Sequence, residues 1–181
     1  GEEQSGIEVG VDMSLELRVQ KFFSPIIDAC MPKANIVDIV RPEDMSRNPE
    51  AVEAYYADPL CIKGKMMVHT ALQNSKAFDV VRERRSEITC PVLILHGTDD
   101  RCTSITASLD FFNHIGTPLA KKKFLKLPGW YHELLEEPDV TNLMISIVEF
   151  ASTGGKQFAD VEGEVNDGLV DVDYTKSVAY N

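Results

Sequence analysis

The sequence lacks the features that mark several large classes of protein. Its four cysteines are widely and irregularly spaced, without a C-x-x-C pair, so free thiols in a reducing compartment are expected rather than disulfides or zinc ligands. No apolar run approaches the roughly 18 residues of a membrane span. The acidic start GEEQSGIEVG has no apolar signal-peptide core. We therefore expect a cytoplasmic protein without a metal site.

Basic residues are also scarce. The chain has 18 lysines and arginines against 29 aspartates and glutamates, a formal net charge of −11. This balance argues against nucleic acid and anionic membranes as main partners. A G-x-G-x-x-G loop and a P-loop are both missing, so a nucleotide-binding domain is the least favoured interpretation. The 181 residues, 44% of them hydrophobic, suffice for one domain with a packed core.

The middle of the chain alternates between strand and helix patterns. PVLILHGTDD, residues 91–100, is a continuous apolar run followed by glycine and two acids, typical of a strand buried on both faces of a parallel sheet. A helix is predicted over residues 104–115, capped by Thr103 or Ser104 and ended by a following glycine. KKKFLKLPG predicts a second strand, and residues 139–151 an amphipathic helix. This order indicates an α/β layer with parallel strands.

Helical patterns precede this layer, and an irregular segment follows it. Residues 14–30 have helical spacing. Asn48 and Pro49 stand in the order of a helix cap and a first helical residue. A longer helix is predicted over about residues 65–85. Residues 153–181 are acidic and show no clear period, which predicts a disordered tail.

An acid and a histidine follow the two predicted strands. Asp99 and Asp100 end the first strand, and His132 comes just after the second. The carboxyl ends of parallel strands meet at one edge of a sheet, so a carboxylate there could orient the imidazole, and the histidine could act as a general base. Taken singly, each residue also has an ordinary structural interpretation, the aspartate as a turn former and the histidine as a surface residue.

The other three histidines are interpreted as structural. His96 lies within or at the end of the first strand, and His69 is helical without a partner spaced for a metal. His114 is expected to contact the C-terminal end of its helix. The stretch HELLEE is not a metal motif, because Glu136 stands where His-Glu-x-x-His needs a second histidine.

Three stretches resemble one family. PVLILHGTDD, GWYHELLEEPD and MSRNPEAVEAYYADPL are similar to monoacylglycerol lipase and its relatives among the serine α/β-hydrolases, over about residues 15–151. The resemblance implies that Asp100 is the catalytic acid, with Asp99 as the runner-up, and that His132 is the base. It also implies that Glu137 is the acidic residue that trails the family's histidine.

The implied fold is α/β: the C-terminal part of an α/β-hydrolase, with parallel strands and flanking helices, preceded by a helical cap. Residues 1–75 would form the cap, residues 76–152 the core that carries acid and histidine, and residues 153–181 the tail. The implied substrate is a small lipid ester, monoacylglycerol or a relative, and no cofactor is expected. Peripheral membrane contact through the cap is an open expectation.

The family's nucleophile is missing. No G-x-S-x-G elbow occurs in the sequence, and the His-Gly pair at residues 96–97 belongs to the acid-bearing strand rather than to an oxyanion hole. By the resemblance both parts lie upstream of Gly1, so we expect a C-terminal fragment that is inactive alone. We expect it to be poorly stable as well, because residues 92–95 would present an unpaired apolar edge. The alternative is a non-catalytic or truncated binding module.

The cap stretch contains an apolar stripe with two interpretations. Phe22, Phe23, Ile26 and Ile27 would line a wall for an acyl chain in a lipase, or they would simply pack in the protein core.

Overall fold

The computed structural model describes residues 25–138 and 140–155, together with the backbone of residues 165–166 and 169–171. Residues 25–30 are helical. The further elements in chain order are β1 (Asn35–Asp38), α1 (Pro42–Met45), α2 (Pro49–Ala57), β2 (Lys65–Met67), α3 (Val68–Arg84), β3 (Val92–Gly97), α4 (Ile105–His114), β4 (Lys122–Leu127), α5 (Val140–Thr153), β5 (Val165–Asn166) and β6 (Leu169–Asp171).

The predicted parallel strand pair is confirmed. β3 and β4 pair in parallel from Val92 opposite Lys122 to Gly97 opposite Leu127, and α4 connects them as the crossover that a parallel pair requires. The described sheet has the order β3-β4-β6-β5, in which β6 is parallel to β4 and antiparallel to β5. The two parallel strands therefore end at the same edge of the sheet.

The strand that is buried on both faces is β4, not β3. Phe124, Leu125 and Leu127 of β4 are fully buried, whereas residues 92–95 of β3 are only half-buried. The prediction of full burial for the β3 run is thus wrong for this chain. The reason is position in the sheet: in the described part of the chain β4 lies between two strands, and β3 lies at an edge.

The core lies between β4 and α5. Leu125, Leu127, Trp130 and Leu143 form one buried cluster, and each such side chain contributes roughly 1.5–3 kcal/mol when it leaves water. On the other face of the sheet Phe112 of α4 meets Phe124 edge to face at a centroid distance of 5.7 Å. These contacts fix how the ends of β3 and β4 lie against each other.

The N-terminal end of α4 follows the predicted capping, whereas its C-terminal end does not use glycine as a left-handed cap. Ser104, rather than Thr103, is the cap, and its hydroxyl accepts a hydrogen bond from the Ala107 amide at 3.3 Å. The helix ends at His114, and the glycine that follows serves another purpose than a left-handed cap. A Cβ at Gly116 would lie 2.1 Å from the carbonyl oxygen of Ser86, so this glycine permits a close backbone approach.

The last helix of the core is amphipathic only in part. A helix was predicted over residues 139–151, and α5 runs over Val140–Thr153, two residues beyond the predicted end. Leu143 and Phe150 are buried, but Met144 and Val148 are 44% and 59% exposed. The apolar surface of α5 is therefore wider than the described core covers.

The region before the core contains a small antiparallel pair. Lys65–Met67 forms strand β2 against β1, so the prediction of helix from residue 65 was wrong for its first turn. Asn48 caps α2 as predicted, and its side chain accepts from the Glu50 amide at 3.0 Å. Among the helices of the described residues, none combines the length and apolar content that crossing a membrane requires.

Most of the predicted disordered tail, residues 153–181, lies outside the described residues. Within it β5 and β6 form strands that extend the sheet beside β4, which the tail prediction did not include. Most of residues 14–30 likewise lies outside the described part of the chain.

A close approach at Gly97 joins the ends of β3 and β4. A Cβ on Gly97 would lie 2.2 Å from the Trp130 carbonyl oxygen and 2.5 Å from that of Tyr131. The Asp99 amide donates to the same Trp130 oxygen at 3.1 Å, and the Gly129 amide donates to the Thr98 hydroxyl at 2.8 Å. The absence of a side chain at Gly97 thus lets the loop after β4 lie directly against the turn after β3.

We predict that Gly97→Ala lowers the free energy of unfolding by about 1–3 kcal/mol, because the new methyl group meets backbone atoms that cannot rotate away. Urea denaturation followed by circular dichroism measures the change. Gly154→Asn is the matched control. It replaces a glycine with φ of 60° and open space around it, where asparagine is tolerated. Equal stability of Gly97→Ala and wild type would contradict the prediction.

Candidate active site

The turn after β3 holds the Asp100 carboxylate in one orientation. Its oxygens accept hydrogen bonds from the Cys102 amide at 2.7 Å, the Thr103 amide at 2.9 Å and the Thr103 hydroxyl at 2.8 Å. The side chain is only 5% exposed. An aspartate that bonds to amides two and three residues ahead is a common turn arrangement, and here it fixes a charged group at the sheet edge.

The loop after β4 brings His132 onto this carboxylate. Gly129 has φ of 76°, a conformation that favours glycine, and the chain turns there toward β3. Nδ1 of His132 lies 2.9 Å from Oδ2 of Asp100, and 3.5 Å from the Thr103 hydroxyl. The imidazole is 36% exposed. The acid and histidine predicted from the sequence are therefore in hydrogen-bond contact.

This contact shifts both pKa values in the direction that keeps the pair charged. Burial raises the pKa of Asp100, but the hydrogen bonds from His132 and from the Thr103 and Cys102 amides outweigh it and lower the pKa from 3.8 to about 2. The hydrogen bond to Asp100 raises the pKa of His132 above 6.5, against the opposite effect of burial. Asp100 therefore stays ionised at neutral pH.

The arrangement also selects the histidine tautomer. In the neutral imidazole, Nδ1 carries the proton that it donates to Asp100, so Nε2 holds the lone pair. An Nε2 lone pair on a partly exposed imidazole can accept a proton from a hydroxyl group, and the ionised carboxylate stabilises the imidazolium that forms.

Asp99 occupies a different environment from its neighbour. Its side chain is exposed, and its carboxylate accepts a hydrogen bond from the Thr98 hydroxyl at 3.1 Å. Its backbone amide bonds to the loop after β4. Of the two candidate acids, Asp100 is the one whose carboxylate contacts His132.

His96 lies closer to the acid than the sequence suggested. It is buried, its Nδ1 lies 2.9 Å from the Ser108 hydroxyl, and its Nε2 lies 3.4 Å from Oδ2 of Asp100. Burial lowers the pKa of His96, which keeps this imidazole neutral. Asp100 thus lies between two imidazoles. The sequence contains no local signal of the contact between His96 and Asp100. A strand end and a turn separate the two residues, and these do not fix the distance between side chains four residues apart.

His114 contacts its own helix, and His69 contacts the helical residues 25–30. Nδ1 of His114 lies 2.7 Å from the Asp110 carbonyl oxygen in the last turn of α4, in line with the expected contact at the helix end. Nδ1 of His69 lies 2.9 Å from the Asp28 carboxylate on an exposed surface.

The candidate site also contains a thiol. One ligand atom each from Asp100, Cys102 and His132 lies within 4.8 Å of the others, a distance compatible with a bound cation. Burial raises the pKa of Cys102 to about 12, and its thiol donates to the Asp44 carbonyl oxygen. Metals bind the thiolate rather than the thiol, and the Asp100 oxygens already accept several hydrogen bonds. Hydrogen bonding therefore accounts for the cluster, and we assign no metal ligands.

The structure describes Glu137 in full and the expected acyl-chain wall only in part. Glu137 is buried and accepts hydrogen bonds from the Tyr131 amide at 3.3 Å and from Arg47. The expected acyl-chain wall is described only in part: Ile26 is exposed and Ile27 half-buried, while Phe22 and Phe23 lie outside the described residues. The role of that stripe remains a prediction.

Two known lipases are similar to this chain in sequence. The monoacylglycerol lipase of Mycolicibacterium smegmatis is 31% identical over 109 residues, which cover 56% of this chain and 38% of the relative. The human monoglyceride lipase is 36% identical over 103 residues, covering 54% of this chain and 32% of the relative. This chain thus spans between about a third and two-fifths of the length of these relatives.

A solved structure shows the same fold. The monoacylglycerol lipase of Paleococcus ferrophilus superposes with a TM-score of 0.67 at 24% identity, over 75% of this chain and 52% of that one. The family described as serine aminopeptidase, S33 matches residues 7–139. The chain therefore belongs to the serine aminopeptidase S33 family and has a monoacylglycerol lipase-like α/β-hydrolase fold.

Proposed function

We propose that this chain supplies the acid and the base of a serine ester hydrolase that acts on monoacylglycerol or a related lipid ester. The observation that carries the proposal is the 2.9 Å contact between Nδ1 of His132 and Oδ2 of Asp100. In this proposal the serine and the oxyanion hole come from polypeptide upstream of Gly1, since the sequence has no G-x-S-x-G elbow.

The proposed reaction uses each nitrogen of His132 for one purpose. Nδ1 stays bonded to Asp100 throughout. Nε2 takes the serine proton as the serine oxygen attacks the ester carbonyl, and it returns that proton to the leaving alcohol when the tetrahedral intermediate collapses to an acyl-enzyme. A water molecule then repeats the sequence and releases the carboxylic acid. Asp100 remains ionised and stabilises the imidazolium.

The substrate class is proposed from the relatives and the fold. The similar proteins bear the names monoacylglycerol lipase or monoglyceride lipase. We propose the same division of the chain as the sequence analysis did: cap at residues 1–75, core at residues 76–152 and tail at residues 153–181.

The half-covered apolar surfaces support the proposal that more of the domain packs here. Residues 92–95 of β3 are only half-buried. Val140, Met144, Ile145 and Val148 line an apolar groove of about 460 Å³ on α5. An upstream part of an α/β-hydrolase domain would cover both, and burial of such surface is the main favourable contribution to folding. In this proposal the chain alone is inactive and poorly stable.

The first prediction concerns the roles of the two aspartates. In the product of the complete reading frame, Asp100→Asn lowers kcat for monoacylglycerol hydrolysis by about ten-thousand-fold, because the imidazole loses its orienting carboxylate. His132→Ala causes a loss at least as large. Asp99→Asn is the matched control and keeps near wild-type kcat. Release of fatty acid from a monoacylglycerol emulsion measures all three.

Three results of these activity measurements would contradict the proposal. Wild-type turnover in Asp100→Asn would remove Asp100 from the mechanism. Loss of activity in Asp99→Asn with retention in Asp100→Asn would reverse the assignment. An active His132→Ala variant would point to a non-catalytic role for this half of the domain, as in the binding-module alternative.

The second prediction concerns pH. The base must be neutral, so kcat/KM rises with pH as His132 loses its proton, through a pKa that the Asp100 hydrogen bond holds above 6.5. Asp100→Glu keeps a carboxylate and serves as the control for Asp100→Asn. We expect the residual activity of Asp100→Asn to rise at lower pH than wild type, because the main cause of the raised pKa is gone. An unchanged midpoint would contradict this.

The third prediction concerns peripheral membrane contact, which we propose occurs through the cap. Met31, Leu60 and Ile62 are more than 60% exposed in this region, and apolar side chains of this kind can enter a lipid interface. We expect the complete protein to co-sediment with zwitterionic vesicles and Leu60→Asn to bind less. Leu119→Asn changes an exposed leucine outside the cap and serves as the control. Equal binding by both variants would contradict the proposal.

A further inference from the structure

A short segment before α2 contacts both halves of the Asp100–His132 pair. We call residues 44–47 the connecting segment. On the acid side, the Cys102 thiol donates to the Asp44 carbonyl oxygen at 3.4 Å, and the Arg101 guanidinium lies 3.5 Å from the Asp44 carboxylate. The Asp44 side chain is itself almost fully buried. The connecting segment is thus fixed to the turn that carries the acid.

The connecting segment also contacts the histidine loop on both sides of His132. The Glu133 amide donates to the Met45 carbonyl oxygen at 2.7 Å. The Tyr131 amide donates at 3.3 Å to the Glu137 carboxylate, and the Arg47 amide donates to the same carboxylate oxygen at 3.2 Å. The residues immediately before and after His132 are therefore both connected to this segment.

The Arg47–Glu137 ion pair is the centre of these contacts. The Glu137 side chain is 0% exposed and accepts from Nε of Arg47 as well as from the two amides. The Arg47 guanidinium lies 5.9 Å from the centre of the Trp130 ring, which is part of the buried core cluster. A buried carboxylate with three donors has one favoured position, because loss of any donor leaves it underbonded.

The position of His132 follows from these contacts. The imidazole of His132 is more exposed than Asp100, and its own contact with the acid is a single hydrogen bond that depends on where the loop lies. The turn after β3 holds this loop on one side. The connecting segment holds it on the other and continues directly into the capped helix α2.

We propose that Arg47 and Glu137 are positioning residues that hold His132 at hydrogen-bond distance from Asp100 and link the geometry of that pair to the position of the cap. The proposal rests on the proposed function, since it assigns meaning to the same pair. A cap displacement that moves the connecting segment would lengthen the His132–Asp100 contact and weaken the base. A merely structural ion pair would stabilise the fold without affecting the imidazole.

The experiment is an NMR titration of the imidazole of His132 in the product of the complete reading frame, with isotope-labelled histidine and with His132→Gln to assign the signal. Variants are Arg47→Gln and Glu137→Gln. A change of charge alone would shift the pKa of His132 in opposite directions in the two variants, upward on loss of the arginine and downward on loss of the glutamate. Loss of positioning lowers the pKa toward 6.5 in both variants, because both weaken the bond to Asp100.

Controls separate a loss of positioning from other causes of a pKa shift at His132. Arg82→Gln removes an exposed arginine that pairs with Asp79 in α3 and is expected to leave His132 unchanged. In the described part of the chain the other titratable groups near His132 are Asp100, His96, Cys102 and Glu133, and all four stay in the Arg47, Glu137 and Arg82 variants. The signals of His69 and His114 serve as internal references. Arg47→Lys keeps the charge and is expected to give a smaller shift than Arg47→Gln.

The directions of the pKa shifts in Arg47→Gln and Glu137→Gln decide whether these residues position His132. A downward shift in both variants supports positioning. Opposite shifts, no shift, or failure of both Arg47→Gln and Arg47→Lys to fold would overturn it, since each would indicate a charge effect or a purely structural pair. If Glu137→Gln alone fails to fold, the sign of the Arg47→Gln shift decides. Asp100→Asn in the same titration tests the Asp100–His132 pair itself. If this variant leaves the pKa of His132 unshifted, the proposed function fails. If Asp100→Asn shifts the pKa but Arg47→Gln does not, only the proposed positioning by Arg47 and Glu137 fails.

Discussion

The contact between His132 and Asp100 depends on how two parallel strands end. Because β3 and β4 pair in register up to Gly97 and Leu127, the turn after one strand and the loop after the other begin at the same height. The missing side chain at Gly97 lets the loop lie against the turn, and the Thr103 and Cys102 amides hold the carboxylate toward it. Without any one of these three conditions the imidazole and the carboxylate would not meet.

The parts predicted from the sequence are those with local causes. The β3 run, the capped α4 and the basic β4 stretch have strong periodic or capping signals, and the acid and histidine follow because chain order places them at the same sheet edge. The family resemblance added the choice of Asp100 over Asp99, and the structure places Asp100 against His132. Burial was less predictable: β3 is half-buried and α5 keeps exposed apolar side chains, because burial depends on neighbours that a single element does not reveal.

The features that were missed depend on contacts between distant parts of the chain. Arg47 and Glu137 are 90 residues apart, and neither has a local pattern that indicates an ion pair. His96 contacts Asp100 only because β3 ends in a tight turn. Residues 65–67 form strand β2 because β1 pairs with them. Polar contacts of this kind determine the precise geometry of the site, whereas the periodic apolar pattern determines only where the strands run.

In the proposed function this chain is the acid- and base-bearing part of a larger hydrolase domain, consistent with the 38% of the mycobacterial relative that it spans. Determining the coding sequence upstream of Gly1 in one complete transcript tests this proposal most directly. We predict an uninterrupted reading frame that encodes a His-Gly pair after an early strand and a G-x-S-x-G elbow before the cap. A start codon immediately before Gly1 would contradict it, because His132 would then have no serine in its own chain to activate.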